Sequence, residues 1–216
     1  MPLATVCDYG LMVFAAVLLD VDGVLLDSTA AHRRVWTAWA ANHRLDVEFV
    51  WKSTFGRRPE DTIRDVAPHL DPAVERIALD GLLVSERGSF PPLPGASDLL
   101  ARLYGRPWAI VTSGSRETTQ ERFHAAALPL PEVQIYGEDV DQAKPAPDCY
   151  LLAAERLGVL PTECAVIEDA PAGVEAAVVA GCTVIGLSTT HAATALDRAH
   201  LHAATLKQAL ILLEQL

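Results

Sequence analysis

The sequence predicts an α/β protein: a doubly wound, Rossmann-like parallel sheet core with an all-helical cap inserted after the first strand. Three observations support this prediction. Short apolar runs recur along the chain and each stops at a polar cluster, helical segments with clear start and stop signals lie between them, and one long interval holds helical patterns only. Strands that alternate with helices form parallel sheets, because the crossover helices cover both faces.

Four apolar runs are predicted to be strands buried on both faces, because each is short, continuous and bounded by polar or turn-forming residues. The runs are residues 14–19, 108–111, 164–167 and 183–187. Ser115 is a candidate cap for a helix that runs through Ala127. Two further helices are expected to begin at Pro147 and Pro171 and to end at Gly158 and Gly181.

The interval from about residue 30 to residue 90 contains no convincing strand, and we interpret it as a helical insertion. Pro59 and Pro72 stand where first helical turns can begin, the latter after a possible Asp71 cap. Prolines at 91, 92 and 94 mark the return to the sheet. We therefore expect a core made of residues 13–29 and 91–216 and a cap made of residues 30–90.

Composition narrows the classes of function. Half of the 216 residues are apolar, which is enough for a substantial core. A formal charge of −11 and a pI near 5.0 disfavour nucleic-acid binding, which needs a basic surface. The four cysteines lack CxxC spacing and are expected to be buried free thiols. The early apolar run is shorter than the roughly 18 residues of a membrane span, so we expect a cytoplasmic protein without a membrane partner.

Polar clusters follow the predicted strands, where ligands of open α/β sheets bind. Asp20 and Asp22 come directly after the first run, and residues two apart in an extended chain point the same way. Their carboxylates suit either a metal site or the combination of a nucleophile and an acid.

The later clusters supply complementary groups. Thr112 and Ser113 precede a helix, where hydroxyls and free backbone N–H groups suit a phosphoryl oxygen. Lys144 lies on a proline-stiffened turn, and Glu168 and Asp169 add two carboxylates ahead of another helix. Together the clusters provide carboxylates for Mg²⁺, a cation and a hydroxyl for phosphate, and a spare carboxylate for proton transfer.

These clusters resemble the four ordered motifs of the haloacid dehalogenase superfamily. The matching segments are LLDVDGVLLDS at 18–28, TSG at 112–114, KPAPD at 144–148 and IEDAPAG at 167–173. The helical insertion is similar to the first type of cap in this superfamily. Within it, the chain resembles the branch that contains sugar phosphatases, yeast-type deoxyglucose-phosphate and glycerol-phosphate phosphatases, and β-phosphoglucomutase.

The resemblance implies a role for each core residue. Asp20 is implied as the covalent nucleophile. Asp22 is implied as the acid that protonates the leaving oxygen and then as the base that activates water, and an aspartate there favours phosphoryl transfer over dehalogenation. Thr112, Ser113 and Lys144 are implied as ligands of the phosphoryl group.

The resemblance also implies a magnesium cofactor. Its expected ligands are Asp20, the backbone carbonyl of Asp22, and Asp169. Glu168 is expected to bind the ion directly or through a water molecule.

Two cap residues are candidates for substrate specificity. Arg58 lies in a glycine-flanked loop ahead of a helix, from which it can reach a hydroxylated or anionic substrate. The alternative is a solvated arginine that pairs with Glu60 or Asp61. His32 falls where β-phosphoglucomutase has its cap histidine, although histidines are also frequent on ordinary helix faces.

We therefore expect a Mg²⁺-dependent phosphatase that forms a phospho-aspartate and hydrolyses a small phosphorylated metabolite, with a sugar or polyol phosphate as the leading candidate. A phosphomutase similar to β-phosphoglucomutase is the first alternative, and His32 is its best support. A non-enzymatic regulator or binding module on the same fold is the second, and the four intact motifs count against it. The expected assembly is a monomer or a weak homodimer.

Overall fold

A computed structural model describes residues 14–88 and 90–216, and its core is a parallel sheet of six strands in the order β3-β2-β1-β4-β5-β6. The strands are β1 Ala16–Leu19, β2 Trp108–Val111, β3 Val133–Ile135, β4 Cys164–Glu168, β5 Thr183–Leu187 and β6 Leu201–Ala203. The order reverses at β1, which pairs with β2 on one side and β4 on the other. A ligand crevice forms at such a reversal, outside the carboxyl ends of the strands.

Helices cover both faces of the sheet. They are α5 Ala96–Arg102, α6 Arg116–Ala125, α7 Asp148–Leu157, α8 Pro171–Ala180 and α9 Leu206–Gln215. In β1, Val17 and Leu19 face a core shared with α5, α6 and α9, whereas Ala16 and Leu18 face a core shared with α7 and α8. Both faces of β1 are therefore buried, and the predicted doubly wound fold is confirmed.

The insertion between β1 and β2 carries four helices. They are α1 Thr29–Asn42, α2 Val47–Lys52, α3 Pro59–Val66 and α4 Pro72–Val84. They enclose an apolar cluster of their own around Trp39, Ile63 and Leu79. As predicted, Pro59 and Pro72 open their helices, and the Asp71 carboxylate caps α4 by accepting a hydrogen bond from the Ala73 N–H. The insertion is all-helical, whereas its exact boundaries at 30 and 90 stay a prediction.

The sequence prediction missed several elements and misplaced some ends. The three-residue strands β3 and β6 are too short to show a period, and neither was predicted. Helix α6 ends at Ala125, two residues before the predicted Ala127, because Ala127 has a positive φ of 53°. The predicted closures of α7 at Gly158 and of α8 at Gly181 are confirmed, since both glycines adopt the left-handed conformation.

The cysteine prediction is confirmed for the described part of the chain, where Cys149, Cys164 and Cys182 are buried free thiols. Cys7 lies outside the described residues, as do residues 1–12, for which no function was predicted. Within residues 14–88 and 90–216, no helix has the length and apolar character needed to cross a bilayer. The cytoplasmic location stays a prediction.

Candidate active site

Three carboxylates meet at the carboxyl ends of β1 and β4. Asp20 directly follows β1, Glu168 is the last residue of β4, and Asp169 follows it. All three side chains are buried, and an oxygen from each lies within 4.8 Å of the others. The pairing of β1 with β4 brings together groups that are far apart in the sequence.

Lys144 supplies the positive charge of this cluster. Its Nζ donates hydrogen bonds to Asp20 Oδ1 and Glu168 Oε1, both at 2.7 Å, and to the Val111 carbonyl at 3.0 Å. Burial opposes the ammonium charge, but the two carboxylates outweigh it and hold the pKa of Lys144 well above its ordinary value. Burial raises the pKa of Asp20 to about 7 even with Lys144 beside it.

Asp169 has one carboxylate oxygen without a protein partner. Its Oδ2 accepts a hydrogen bond from Thr190, whereas Oδ1 is buried and makes no hydrogen bond with the described residues. Burial, Glu168 and Asp20 together raise its pKa well above the ordinary value. Buried oxygens are nearly always satisfied, so this oxygen, beside carboxylates that outnumber Lys144, is suited to bind a cation. Asp20 and Asp169 can hold it.

Glu168 is already engaged by the protein. Its Oε1 accepts hydrogen bonds from Lys144 and from the Tyr150 hydroxyl at 3.2 Å. Its Oε2 accepts hydrogen bonds from the backbone N–H groups of Asp169 at 2.8 Å and Ala170 at 2.9 Å. These contacts hold Glu168 behind Asp169, and its role as a metal ligand stays a prediction.

Two glycines leave space for these carboxylates. A Cβ on Gly23, which has a φ of +83°, would lie 2.1 Å from Asp169 Oδ2. A Cβ on Gly173, in the first turn of α8, would lie 1.6 Å from Glu168 Oε1. Both distances are far shorter than any real contact, so the carboxylates occupy positions that only glycine permits.

Asp22 is flanked by two basic side chains. His32 Nε2 lies 4.0 Å and Arg122 Nη1 lies 3.4 Å from Asp22 Oδ1. Burial alone would raise the pKa of Asp22, but these neighbours outweigh it and leave the pKa below its ordinary value. The site therefore favours an ionised Asp22.

Most of the predicted site residues line one cavity of about 120 Å³ between the sheet and the cap. The predicted residues that line it are Asp20, Asp22, His32, Thr112, Ser113 and Asp169. Thr112 is buried after β2, where its Oγ1 accepts a hydrogen bond from the Gly114 N–H at 3.0 Å. Lys144 and Glu168 lie behind this cavity and reach it through Asp20 and Asp169.

Arg58 does not line this cavity. Its Nε pairs with Asp61 at 2.8 Å, the alternative considered from the sequence. Its two terminal nitrogens donate hydrogen bonds to the carbonyls of Gly137, Val140 and Asp141 at 2.9–3.2 Å. The guanidinium therefore joins the cap to a loop of the core, and a contact with substrate stays a prediction.

Sequence reasoning missed several residues of the site. Arg122 lies on α6, far in sequence from Asp22, and its side chain is only 9% exposed. Its buried position within a polar helix could not be predicted from the sequence. Arg76 and Asp80 of α4 also line the cavity, and they stand one helical turn apart as an arginine and an aspartate. The i, i+4 spacing of the two residues can be read from the sequence. Ion pairs on exposed helix faces have the same spacing, however, so it did not identify them as cavity residues.

The fold and the site together define a class of protein: a doubly wound α/β protein with an aspartate cluster at the reversal of its sheet and a helical cap above it. A family model described as haloacid dehalogenase-like hydrolase matches residues 14–181. The chain belongs to this family.

Known proteins share both the sequence and the fold. Hexitol phosphatase A of Escherichia coli is 43% identical over 79% of this chain and 82% of its own length. Glycerol-1-phosphate phosphohydrolase 1 of Saccharomyces cerevisiae is 34% identical over 81% of this chain and 75% of its own length. A hydrolase from Pseudomonas syringae has the same fold, with a TM-score of 0.83 at 24% identity, over 94% of this chain and 99% of that structure.

Proposed function

We propose that this protein is a Mg²⁺-dependent phosphatase that hydrolyses a sugar or polyol monophosphate through a phospho-aspartate on Asp20. The main support for the proposal is the hydrogen bonding of the Asp20 carboxylate, which leaves one of its two oxygens free. Lys144 binds only its Oδ1, so Oδ2 has no hydrogen bond with the described residues, while the side chain lines the cavity. A buried carboxylate with one free oxygen, next to a second aspartate, suits nucleophilic attack on phosphorus.

In the first step, an oxygen of Asp20 forms a bond to phosphorus while the bond from phosphorus to the alcohol oxygen breaks. Asp22 delivers a proton to the departing oxygen. Because His32 and Arg122 favour its ionised form, Asp22 must first acquire that proton, and the negative charge of the incoming phosphate favours this change.

In the second step, Asp22 removes a proton from water as the water oxygen attacks the phosphorus. The bond from phosphorus to Asp20 breaks and inorganic phosphate leaves. Asp20 is again a carboxylate, whereas Asp22 holds the proton taken from water, which it delivers to the next leaving group or releases to solvent. Thr112 and Ser113 line the cavity and orient the phosphoryl group, and Lys144 acts on it through Asp20. The cap excludes bulk water from the small cavity.

The metal proposed for this site is Mg²⁺, because it prefers oxygen ligands and accompanies phosphoryl groups. Asp20, Asp169 and the backbone carbonyl of Asp22 would hold it, with Glu168 behind them. When bound, it neutralises negative charge on the phosphoryl oxygens. The protein residues align the nucleophile and move the protons.

The alternative is a phosphomutase, which the proximity of His32 to Asp22 favours. A mutase must also bind the second phosphate of a bisphosphate, which requires uncommitted cations. Each of the six arginines that line the catalytic cavity or the adjoining groove already pairs with a carboxylate. They are Arg57, Arg58, Arg64, Arg76, Arg87 and Arg122. This pairing supports the phosphatase, as do the relatives named hexitol phosphatase A and glycerol-1-phosphate phosphohydrolase 1.

The test is a screen of purified protein with Mg²⁺ against hexitol, glycerol, hexose, pentose and glycolate phosphates, with release of inorganic phosphate as the readout. The matched variants are Asp20→Asn and the exposed Asp197→Asn. We expect turnover in the wild type and in Asp197→Asn, and a loss of about a thousandfold or more in Asp20→Asn. Retention of about a tenth of the activity in Asp20→Asn would refute the nucleophile.

The mutase is tested separately with β-glucose 1-phosphate, Mg²⁺ and a trace of glucose 1,6-bisphosphate, followed by phosphorus NMR. The phosphatase predicts that inorganic phosphate is the main product. Faster accumulation of glucose 6-phosphate would establish the mutase instead. Absence of turnover in both experiments would favour the non-enzymatic alternative.

A further inference from the structure

A charged pair on α4 forms part of the wall of the catalytic cavity. Arg76 Nε donates hydrogen bonds to both oxygens of Asp80 at 3.0 Å, and Arg76 Nη1 contacts Glu60 Oε1 at 3.2 Å. The Arg76 side chain is only 16% exposed, and that of Asp80 is 41% exposed. Neither residue takes part in the mechanism above.

The same pair also lines a much larger space. A groove of about 1360 Å³ adjoins the catalytic cavity and runs between α3 and α4 of the cap and α6 of the core. Arg76, Asp80, Leu83, Thr118 and Arg122 are among the residues that line both spaces. The catalytic cavity of about 120 Å³ is well below the roughly 300 Å³ at which ordinary ligand sites begin. Because both spaces have this pair in their walls, a substrate that extends from the catalytic cavity into the groove passes along it.

The chemistry of the pair matches hydroxyl groups. Among the described residues, no hydrogen bond uses Arg76 Nη2, and each oxygen of Asp80 has a lone pair left after binding Arg76 Nε. A hydroxyl both donates and accepts, so neighbouring hydroxyls can bind the guanidinium and the carboxylate together. Arg76, Asp80 and Glu60 carry a combined charge of −1, which disfavours a carboxylate or a second phosphate at this position.

We propose that Arg76 and Asp80 form a specificity site for the distal hydroxyls of a neutral polyol chain, which extends from the catalytic cavity into the groove. The proposal rests on the proposed phosphatase function and specifies the substrate class of the same site. It predicts that a longer polyol phosphate is a better substrate than a short one. A short chain leaves the polar wall without partners, and sites built to bind a hydroxyl discriminate strongly against analogues that lack it.

The experiment measures kcat/KM for glycerol 1-phosphate, erythritol 4-phosphate, ribitol 5-phosphate and sorbitol 6-phosphate. It compares the wild type with Arg76→Met, Asp80→Asn and the control Arg33→Met. Arg33 is a cap arginine that also pairs with a carboxylate, that of Glu48, but it lines neither space. Asp80→Asn removes a charge from a partly exposed side chain with little change in shape, so this variant is expected to fold. It therefore still tests the proposal if Arg76→Met does not fold.

We expect kcat/KM of the wild type to rise with chain length. The ratio of kcat/KM for sorbitol 6-phosphate to that for glycerol 1-phosphate should fall at least about tenfold in Arg76→Met and Asp80→Asn and stay unchanged in Arg33→Met. A ratio that changes less than about twofold in Asp80→Asn, or a wild type that prefers phosphoglycolate, would overturn the proposal. Failure of the wild type to release phosphate from any substrate, para-nitrophenyl phosphate included, would instead refute the phosphatase function and this proposal with it.

Discussion

The burial of individual charged side chains in this site lowers the stability of the folded protein. Asp20 is buried among other carboxylates, and its pKa of about 7 means that ionising it in the folded protein is unfavourable. Lys144 reduces that penalty by contacting Asp20 and Glu168 at the same time. A buried carboxylate whose burial penalty is not fully offset is typical of a site that keeps reactive groups at the expense of stability.

Asp20→Asn is therefore expected to stabilise the protein at alkaline pH while it abolishes turnover. Because the folded-state pKa of about 7 exceeds the ordinary value of 3.8, the folded wild type binds more protons than the unfolded chain between these values. Its stability therefore falls as pH rises through that window. In EDTA at about pH 8, the variant should exceed the wild type by roughly 2–4 kcal/mol, since one pKa unit corresponds to about 1.4 kcal/mol.

The measurement is urea unfolding of both proteins at about pH 8 and about pH 4.5, where the difference should shrink because Asp20 is protonated in the folded state. Asp197→Asn is the control and should show no such pH dependence. A variant that is less stable than the wild type at the higher pH would contradict the assignment of the burial penalty to Asp20.

Among the helices and loops, α8 is placed by its first turn. Gly173 allows α8 to begin directly against Glu168, and any side chain there would collide with the carboxylate. The cap loop that precedes α3 is held in a similar way to the core. Ser113 Oγ donates to the Gly56 carbonyl at 2.9 Å, and the Phe55 ring lies 4.6 Å from that of His191.

Gly173→Ala should destabilise the protein by about 1–3 kcal/mol and reduce activity, because the new methyl group must displace Glu168. Gly81→Ala is the matched control, since its Cβ would meet nothing within 4 Å in the interior of α4. That control should stabilise the protein by about 0.5–1 kcal/mol, because alanine favours a helix. Thermal unfolding measures both, and equal effects of the two substitutions would contradict the close packing at Gly173.

Arg58→Met distinguishes docking of the cap from contact with substrate. Hydrogen bonds to a charged group contribute about 1.5–3 kcal/mol, so loss of the three carbonyl contacts should weaken cap closure and lower kcat/KM about tenfold or more. The loss should be similar for a polyol phosphate and for para-nitrophenyl phosphate. A selective increase in KM for the polyol phosphate would instead support substrate binding by Arg58, and Arg33→Met is the control.

The chain as a whole carries a formal charge of −11, yet the site must bind an anion. The fold solves this by placing a cation and a hydroxyl group next to Asp20. Strand β1 lies between β2 and β4, so Thr112 after β2 and Asp169 after β4 flank Asp20. Lys144 contacts Asp20 directly and also bonds to the ends of β2 and β4. A bound Mg²⁺ would further offset the carboxylates at this point.

Mg²⁺ is accordingly expected to stabilise the folded protein. At a concentration of about 100 times its Kd, a ligand that binds only the folded state adds about 2.7 kcal/mol to the free energy of unfolding. For a chain of this size, that corresponds to an increase in Tm of roughly 5–10 °C. Scanning calorimetry with Mg²⁺ or EDTA should detect the increase in the wild type and in Asp197→Asn, and its persistence in Asp169→Asn would contradict the assigned ligand.

The fold class, the aspartate motifs and the family could all be predicted from the sequence, because they depend on local patterns. An apolar run that stops at Asp20, a proline at Pro59 or a glycine at Gly158 acts through its own neighbours in the chain. The three-residue strands β3 and β6 escaped prediction because they are defined by their pairing partners.

The tertiary structure alone decided which charges meet. Arg122 reaches Asp22 because α6 and β1 share one core, and Arg58 bonds to core carbonyls that lie far from it in the sequence. In the sequence, Arg76 and Asp80 look like an ordinary ion pair on an exposed helix face. In the folded protein, the position of the cap makes them part of the wall of the catalytic cavity. Electrostatic contacts depend on distance in space, whereas the sequence records only distance along the chain.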